Sequence, residues 1–398
     1  MNNERNRILI FSAFYPPHLG GVERYTQQLS KALIKRGNKV SVVTSSFCCV
    51  SETLKALDSA ALEPEIIRLP SVSLFGDRFP LLVICKEFAK GYKKIVSVEC
   101  DSIVINTRYY PLSVLAAHIA KKKGIRPIVI DHSSGRISNE KNLFGCTMRL
   151  YERCTTGLIG RSNPVYCSVS RRGFEWLVQL GLRPNGVIFN SIDADAFRQL
   201  ASKRNWRNEL ECTQDTFVLV YSGRLIPEKG VLKLVQALSS QELAAADIRL
   251  VFAGDGPLAD KVRECVDKRV KYVGRLTRAD LSALLRDCNC LCLPTSYPEG
   301  LPTVLLEAAS QCCAIIVSDC AGAREVVPNR GCGIVLEENT CLALISAILS
   351  LYRNRDAAKL CGHNVCKHIE RCFSWEAAAA SLNAECLNLR NSEVKSDS

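Results

Sequence analysis

The chain predicts an α/β fold of two Rossmann-like domains, each a parallel sheet covered by helices, facing a shared cleft. Three observations carry that expectation. At 398 residues the chain is long enough for two domains that each bury a core. Short apolar runs rich in Val and Ile alternate with helical segments almost end to end, the pattern of parallel strands joined by crossover helices. Near the middle, residues 182–186 (Leu-Arg-Pro-Asn-Gly) break that rhythm and read as a hinge.

The elements follow in order. Residues 8–11 (Ile-Leu-Ile-Phe) form a first strand, and 22–36 a helix stopped by Gly37. Residues 40–43, 103–105, 127–130 and 165–169 are the next strands, with a helix over about 112–123. Beyond the hinge, strands fall at 217–220, 248–252, 290–294 and 314–317. A helix opens at Thr303, with Leu305, Leu306 and Ala309 at core spacing. An Ala-rich helix spans 375–389, and the polar residues past Asn391 are expected to fray. The domains are thus expected at 1–185 and 190–374, with the 375–390 helix as a tail.

Hydrophobic content of 47% and charged content of 23% are ordinary for a soluble globular chain. No run of eighteen apolar residues is present, so no spanning helix is predicted. The short apolar run before Pro16 and Pro17 reads as a strand, not a signal peptide. The net charge is +12, and its excess lies in residues 1–187, which hold 27 Lys and Arg against 14 Asp and Glu. Clusters at Lys86, Lys90, Lys93 and Lys94 and at Lys121, Lys122 and Lys123 suit anionic lipid headgroups or a lipid-pyrophosphate acceptor; a solvated basic face is the alternative. No motif or aromatic interleaving supports nucleic acid as a partner. The 21 cysteines, odd in number and set among apolar neighbours, read as reduced thiols used as small core residues. Cys361, His363, Cys366, His368 and Cys372 match no common zinc spacing, and no metal is assigned.

The most informative segment is 298–308. Pro298, Gly300 and Pro302 keep its first half out of a helix, and Thr303 opens one. A helix N-terminus reached from a strand through a loop offers free amides and a positive dipole end to a phosphate. Glu299 flanks that point and Glu307 lies one turn into the helix, and carboxylates accept hydrogen bonds from vicinal hydroxyls. Together they suit a nucleotide sugar. Gly20 and Gly21, between the first strand and first helix, allow close backbone approach to a diphosphate or an acceptor. Arg224 and Lys229 flank the loop after the 217–220 strand, bracketed by Gly223 and Gly230, and would neutralise a leaving diphosphate. Gly254, Gly256 and Ala259 fit Gly-x-Gly-x-x-Ala, but the acidic residue of a dinucleotide site about twenty positions on is missing, which argues against NAD. Asp193 and Asp195 are weak evidence for a cation. His132, at the end of a strand, is a candidate for contact with donor sugar or acceptor, and His18 a lesser one.

Taken together, these segments resemble the family-four retaining glycosyltransferases of the GT-B fold, from about residue 7 to about 380. The resemblance rests on Glu299 and Glu307 as the family's Glu-x7-Glu pair, on 16–23 (Pro-Pro-His-Leu-Gly-Gly-Val-Glu), on Asn190 to Asp193, on Gly223 to Leu225 with Lys229 and Gly230, and on 253–256 (Ala-Gly-Asp-Gly). It implies that Glu299 meets the donor sugar and Glu307 the ribose. It places Arg275 and Leu276 near the base and Gly254, Gly300, Leu301, Pro302 and Thr303 around the donor. His132 would face the cleft, and the C-terminal helix would cross back onto the first domain. The implied reaction moves a hexosyl unit from a UDP- or GDP-sugar to a hydroxyl of a glycan or lipid-linked glycan with retention, without metal or cofactor. Domain 1–185 would take the acceptor and 190–374 the donor, in cell-surface polysaccharide assembly, cytoplasmic and peripheral on the inner face of the plasma membrane. Ser191 stands where the family usually has Gly. A sugar-nucleotide epimerase of the same fold and a non-catalytic sugar-nucleotide-binding subunit are the alternatives.

Overall fold

The computed structural model describes residues 5–18, 20–46, 63–74, 79–136, 143–297, 301–319 and 322–396. The chain divides into two compact units, Met1–Asn190 with Trp375–Ser398, and Ser191–Ser374.

The first unit is built on β1 (Arg7–Ser12), β2 (Lys39–Ser46), β3 (Glu65–Leu74), β4 (Phe79–Leu82), β5 (Ser102–Asn106), β6 (Ile128–Asp131), β7 (Val165–Ser168) and β8 (Pro184–Val187). They form one sheet in the order β4-β3-β2-β1-β5-β6-β7-β8, parallel except for β4, which runs antiparallel to β3. β1 is central: Ile8 aligns with Val40 of β2 on one side and with Ser102 of β5 on the other. Because side chains alternate along a strand, Ile8 and Ile10 enter one core layer and Leu9 and Phe11 the other. The first layer is closed by Tyr25, Leu29 and Leu33 of helix Gly21–Lys35 and by Trp375, Ala379 and Leu382 of the C-terminal helix. The second takes Ile95, Leu112, Ile119, Ile159 and Leu177 from helices on the opposite face.

Two expectations need correction here. Residues 182–186 are not a hinge, because Pro184–Val187 completes the sheet as edge strand β8 against β7. Pro184 is its first residue, where a missing N–H is tolerated. The C-terminal helix runs over Trp375–Ser396, past the expected fraying point, since no Gly or Pro interrupts it. Arg36 pairs with Glu376 at 2.8 Å and Asn185 Nδ2 donates to Glu385 at 2.7 Å, which seats this helix on the first unit.

The second unit carries β9 (Phe217–Ser222), β10 (Ile248–Ala253), β11 (Val270–Gly274), β12 (Cys290–Leu293), β13 (Ala314–Ser318) and β14 (Ile334–Leu336), all parallel, in the order β11-β10-β9-β12-β13-β14. Its central strands are buried on both faces, and so read as unbroken apolar runs rather than alternating ones. Among the described residues no helix is long and apolar enough to cross a membrane.

Candidate active site

In an open parallel sheet, ligands gather beyond the C-terminal ends of the strands where the strand order reverses. In the second unit that point lies between β9 and β12: from β9 the chain moves outward to β10 and β11, then returns to the other side as β12. The loops after β9, β10 and β12 are tied together there. Gly223 N donates to Ala253 O at 3.0 Å, Leu225 N to Asp255 O at 2.9 Å, and Ser296 N to Glu228 O at 2.8 Å. Gly254 sits at φ +148°, and a Cβ there would fall 1.9 Å from Gly223 O, so this approach requires glycine. Gly230, at φ +76°, likewise lies under Pro294, with a built Cβ 2.2 Å from its carbonyl oxygen.

Lys229 ends the short 3-10 helix Pro227–Lys229 and is only 8% exposed, with its ammonium 5.2 Å from the Tyr297 ring centroid. Arg224 is exposed on the same loop, and its carbonyl accepts the Tyr221 hydroxyl at 2.7 Å. Helix Thr303–Ser310 follows, with Pro302 as N-cap and no side-chain cap, and with Leu301 buried beneath. Pro302, the N-cap residue, has no side-chain donor or acceptor to spend on that positive end. Glu307, on the second turn, is buried at 5% exposure and faces Arg278 Nε at 3.6 Å. Arg278 in turn lies over the Phe197 ring at 4.9 Å. Arg275 is exposed and Leu276 half-buried just after β11, whose Gly274 O accepts from Gly254 N at 2.8 Å. Glu299 and Gly300 lie outside the described residues. The structure thus brings the Arg224, Lys229 and Gly254 loops into one cradle, and sets Thr303 and Glu307 on the helix that leaves the β12 loop. Tyr297 and Arg278 join them unforeseen; an exposed aromatic in a loop and a lone helix arginine give no periodic signal.

The first unit has its own reversal point, between β1 and β5. His132 follows β6, packs edge-on against Tyr25 at 4.6 Å, and has Nε2 3.4 Å from Asn106 Oδ1. Asn106 Nδ2 donates to Thr26 Oγ1 at 2.8 Å, and Thr26 to Ser12 Oγ at 3.0 Å. Burial pushes the His132 imidazole down to about 4, with Asp131 opposing the shift, so it is neutral at pH 7. Gly20 caps helix Gly21–Lys35, but the space beside it is taken: a Cβ there would lie 2.3 Å from Glu23 Oε2. Around Gly21 nothing lies within 4 Å of a built Cβ. Glu23 holds His18, whose Nδ1 lies 2.6 Å from Oε1, and His18 stacks on Phe14 at 4.5 Å.

Beneath His132 lies a constellation the sequence did not suggest. Arg108, just after β5, is fully buried; its Nε is 3.0 Å from Asp131 Oδ2, and its Nη2 contacts Glu152 Oε1. The other Asp131 oxygen accepts Ser133 N at 2.8 Å and Ser133 Oγ at 2.6 Å, which pins the turn carrying His132. The only sequence signal is a cation placed directly after an apolar strand.

Asp193 caps helix Ala194–Gln199 through Ala196 N at 2.9 Å, and Asp195 pairs with Arg198 at 2.6 Å. Cys361, His363, Cys366, His368 and Cys372 share helix Arg355–Cys372 but spread around it: His363 faces Lys359 O and His368 faces Glu325 O. Among the described residues no group of three or more His, Cys, Asp or Glu converges as a metal site. The two lysine clusters are neighbours: Lys123 donates to Val96 O at 2.7 Å, and Lys122 lies over the Tyr92 ring at 5.8 Å. Lys94 is engaged by Glu65 at 2.8 Å.

This architecture is that of the two-domain GT-B glycosyltransferases. The structure is similar to that of Anabaena HepE in complex with UDP, with a TM-score of 0.72 at 18% identity, covering 96% of this chain and 99% of that one. Family models described as Glycosyltransferase Family 4 and Glycosyl transferases group 1 match residues 19–196 and 202–368, and the chain belongs to this glycosyltransferase family. In sequence it is similar to an uncharacterized glycosyltransferase of Methanocaldococcus jannaschii, 20% identical over 93% of this chain and 95% of the relative. It is also similar to glycogen synthase of Mycobacterium tuberculosis, 26% identical over 94% and 93% respectively.

Proposed function

We propose that this protein is a retaining, metal-independent hexosyltransferase that uses a UDP- or GDP-sugar and glycosylates a hydroxyl of a glycan or lipid-linked glycan in cell-surface polysaccharide synthesis. The observation that carries the proposal is the cradle of the second unit: glycine-lined, with buried Lys229, exposed Arg224 and a helix starting at Thr303. It suits a diphosphate flanked by ribose and sugar. In this reading the bond from sugar C1 to the phosphate oxygen breaks and a bond from C1 to the acceptor oxygen forms on the same face. The acceptor's proton passes to the departing phosphate. Arg224, Lys229 and the helix dipole stabilise the charge growing there, each worth about 3 kcal/mol of barrier, roughly a hundredfold in rate. Gly254, Arg275, Leu276, Gly300, Leu301, Pro302 and Thr303 line the donor, Glu299 meets its sugar and Glu307 its ribose. The first unit takes the acceptor; Gly20 and Gly21 allow close backbone approach to the donor diphosphate or the acceptor, and His132 meets donor sugar or acceptor, its neutral imidazole serving as a hydrogen-bonding group rather than a cation. Its joined lysine clusters on helix Lys86–Ser97 and the end of helix Pro111–Lys123 suit the anionic inner face of the plasma membrane.

The test is thermal unfolding with UDP, GDP, ADP and dTDP, for wild type and Arg224→Ala. A ligand at a hundred times its Kd adds about 2.7 kcal/mol, a shift of roughly 5–10 °C for a unit of this size. UDP or GDP should shift wild type and not the variant. If none of the four does, the donor reading fails. If one does but incubation with its sugar yields only a new sugar nucleotide, the protein is an epimerase; if nothing is turned over with any acceptor, it is a binding subunit.

A further inference from the structure

The cysteines of the second unit are not all inert core filling. Helix Thr303–Ser310 ends in a tight turn, with Cys312 N donating to Ala309 O at 3.0 Å and Cys312 itself at φ +54°, left-handed for a residue with a side chain. That turn is pressed onto helix Arg355–Cys372. A Cβ on Gly362 would lie 1.9 Å from Cys312 O, so the two backbones meet where Gly362 leaves room. Cys366 follows Gly362 by one helical turn and therefore comes up on the same face. The Cys366 side chain meets Cys312 there, with its Sγ 3.9 Å from Ser310 O and 3.6 Å from Glu370 Oε1. Arg198 Nη1 lies 3.3 Å from Cys366 Sγ and 2.9 Å from Ser310 O, which brings a guanidinium to the pair.

Cys312 is half-buried, within reach of a small oxidant, whereas Cys366 is buried behind it at 5% exposure. The neighbouring Cys366, with the charges of His363 and Arg198, holds the Cys312 thiol below the ordinary cysteine range against the opposing effects of burial and Glu370. A second pair nearby is an internal comparison. Cys288 Sγ and Cys313 Sγ lie 3.0 Å apart, but Cys313 is buried at 2% exposure and burial pushes its thiol up. Cys288 is half-buried like Cys312, so the two pairs share proximity and access; what marks the Cys312 pair is the Arg198 guanidinium 3.3 Å from Cys366 Sγ.

We propose that Cys312 and Cys366 form a peroxide-reactive thiol pair, with Cys312 as the attacking sulfur and Cys366 as the resolving one. The Cys312 thiolate attacks one oxygen of hydrogen peroxide. An S–O bond forms, the O–O bond breaks, and the departing hydroxide takes up the proton released by Cys312 to leave as water. The Cys366 sulfur then attacks Cys312 Sγ: the S–S bond forms, the S–O bond breaks, and the second hydroxide leaves as water with the Cys366 proton. Two thiols are oxidised by two electrons, and one peroxide is reduced to two waters. The cross-link would join the end of helix Thr303–Ser310 to helix Arg355–Cys372.

The experiment treats the full-length protein with equimolar hydrogen peroxide at pH 7, blocks remaining thiols with N-ethylmaleimide, and sequences the peptides by fragmentation in the mass spectrometer. A Cys312–Cys366 cross-link that dithiothreitol reverses is the expected product. In Cys366→Ser the product should become a dimedone adduct on Cys312, and iodoacetamide should label Cys312 in the untreated protein about tenfold faster than Cys288. The proposal is overturned if wild type yields neither the cross-link nor an adduct at Cys312, or if Cys288 and Cys313 oxidise first. It does not depend on the donor-binding reading, because no nucleotide takes part in the readout.

Discussion

Gly254→Ala tests the cradle at its tightest point. The added methyl would stand 1.9 Å from Gly223 O, and real Cβ atoms essentially never come within 3.0 Å of a neighbour, so the carbonyl must retreat by about 1 Å. That carbonyl belongs to the loop that also holds Arg224, and Gly223 N is itself bonded to Ala253 O. A φ of +148° is closed to alanine at a cost of about 1–3 kcal/mol, and forced overpacking adds about 1–3 more. The expected loss is therefore about 2–6 kcal/mol. At about 3 °C per kcal/mol for a unit of this size, the Tm should fall by roughly 6–18 °C. Calorimetry measures this directly, with Gly21→Ala as the control. Around Gly21 a built Cβ meets nothing within 4 Å, and alanine is the better helix former, so that variant should be neutral or stabilised by up to about 1 kcal/mol. A Gly254→Ala protein melting within about 1 °C of wild type, or a Gly21→Ala protein falling as far, would refute the reasoning.

The buried charges of the first unit make a second prediction. Arg108→Met removes the cation between Asp131 and Glu152 and should cost about 3–5 kcal/mol in urea unfolding, most of it recovered when Asp131→Asn and Glu152→Gln are added. A loss below about 1 kcal/mol would mean the pair is not closed in solution. His132 supplies a third, in pH dependence. Its folded value of about 4 lies below the ordinary 6.5, so the unfolded chain binds the proton first as pH falls. The stability tied to keeping it neutral is present above pH 6.5 and is lost between pH 6.5 and 4, by up to roughly 3 kcal/mol. His132→Asn should flatten that part of the stability curve, and an unchanged slope would place the imidazole in solvent.

Much of this was readable from local pattern. β1, β9, β10, β12 and β13 are strands buried on both faces, and each announces itself as a compact apolar run between turn residues. β3, β11 and β14 are only partly buried, β3 with exposed positions as well, and their pairing depends on neighbours far away in the chain. β8 shows the same limit: Pro184 and Gly186 look like punctuation until β7 offers an edge to pair with.

The site divides along the same line. Glycines that a backbone crossing demands, cations bracketed by them, and a Pro-interrupted entry to a helix are local chemistry, so Gly254, Arg224, Lys229 and Thr303 stand out from the order of the residues. Partner choice is not local. That Arg108 is folded against Asp131 and Glu152, and that Cys366 is set behind Cys312, follow from contacts between segments 23 to 54 positions apart. Local order specifies which groups a segment can offer; burial and pairing, which set the charge and reactivity of those groups, exist only once the chain has packed.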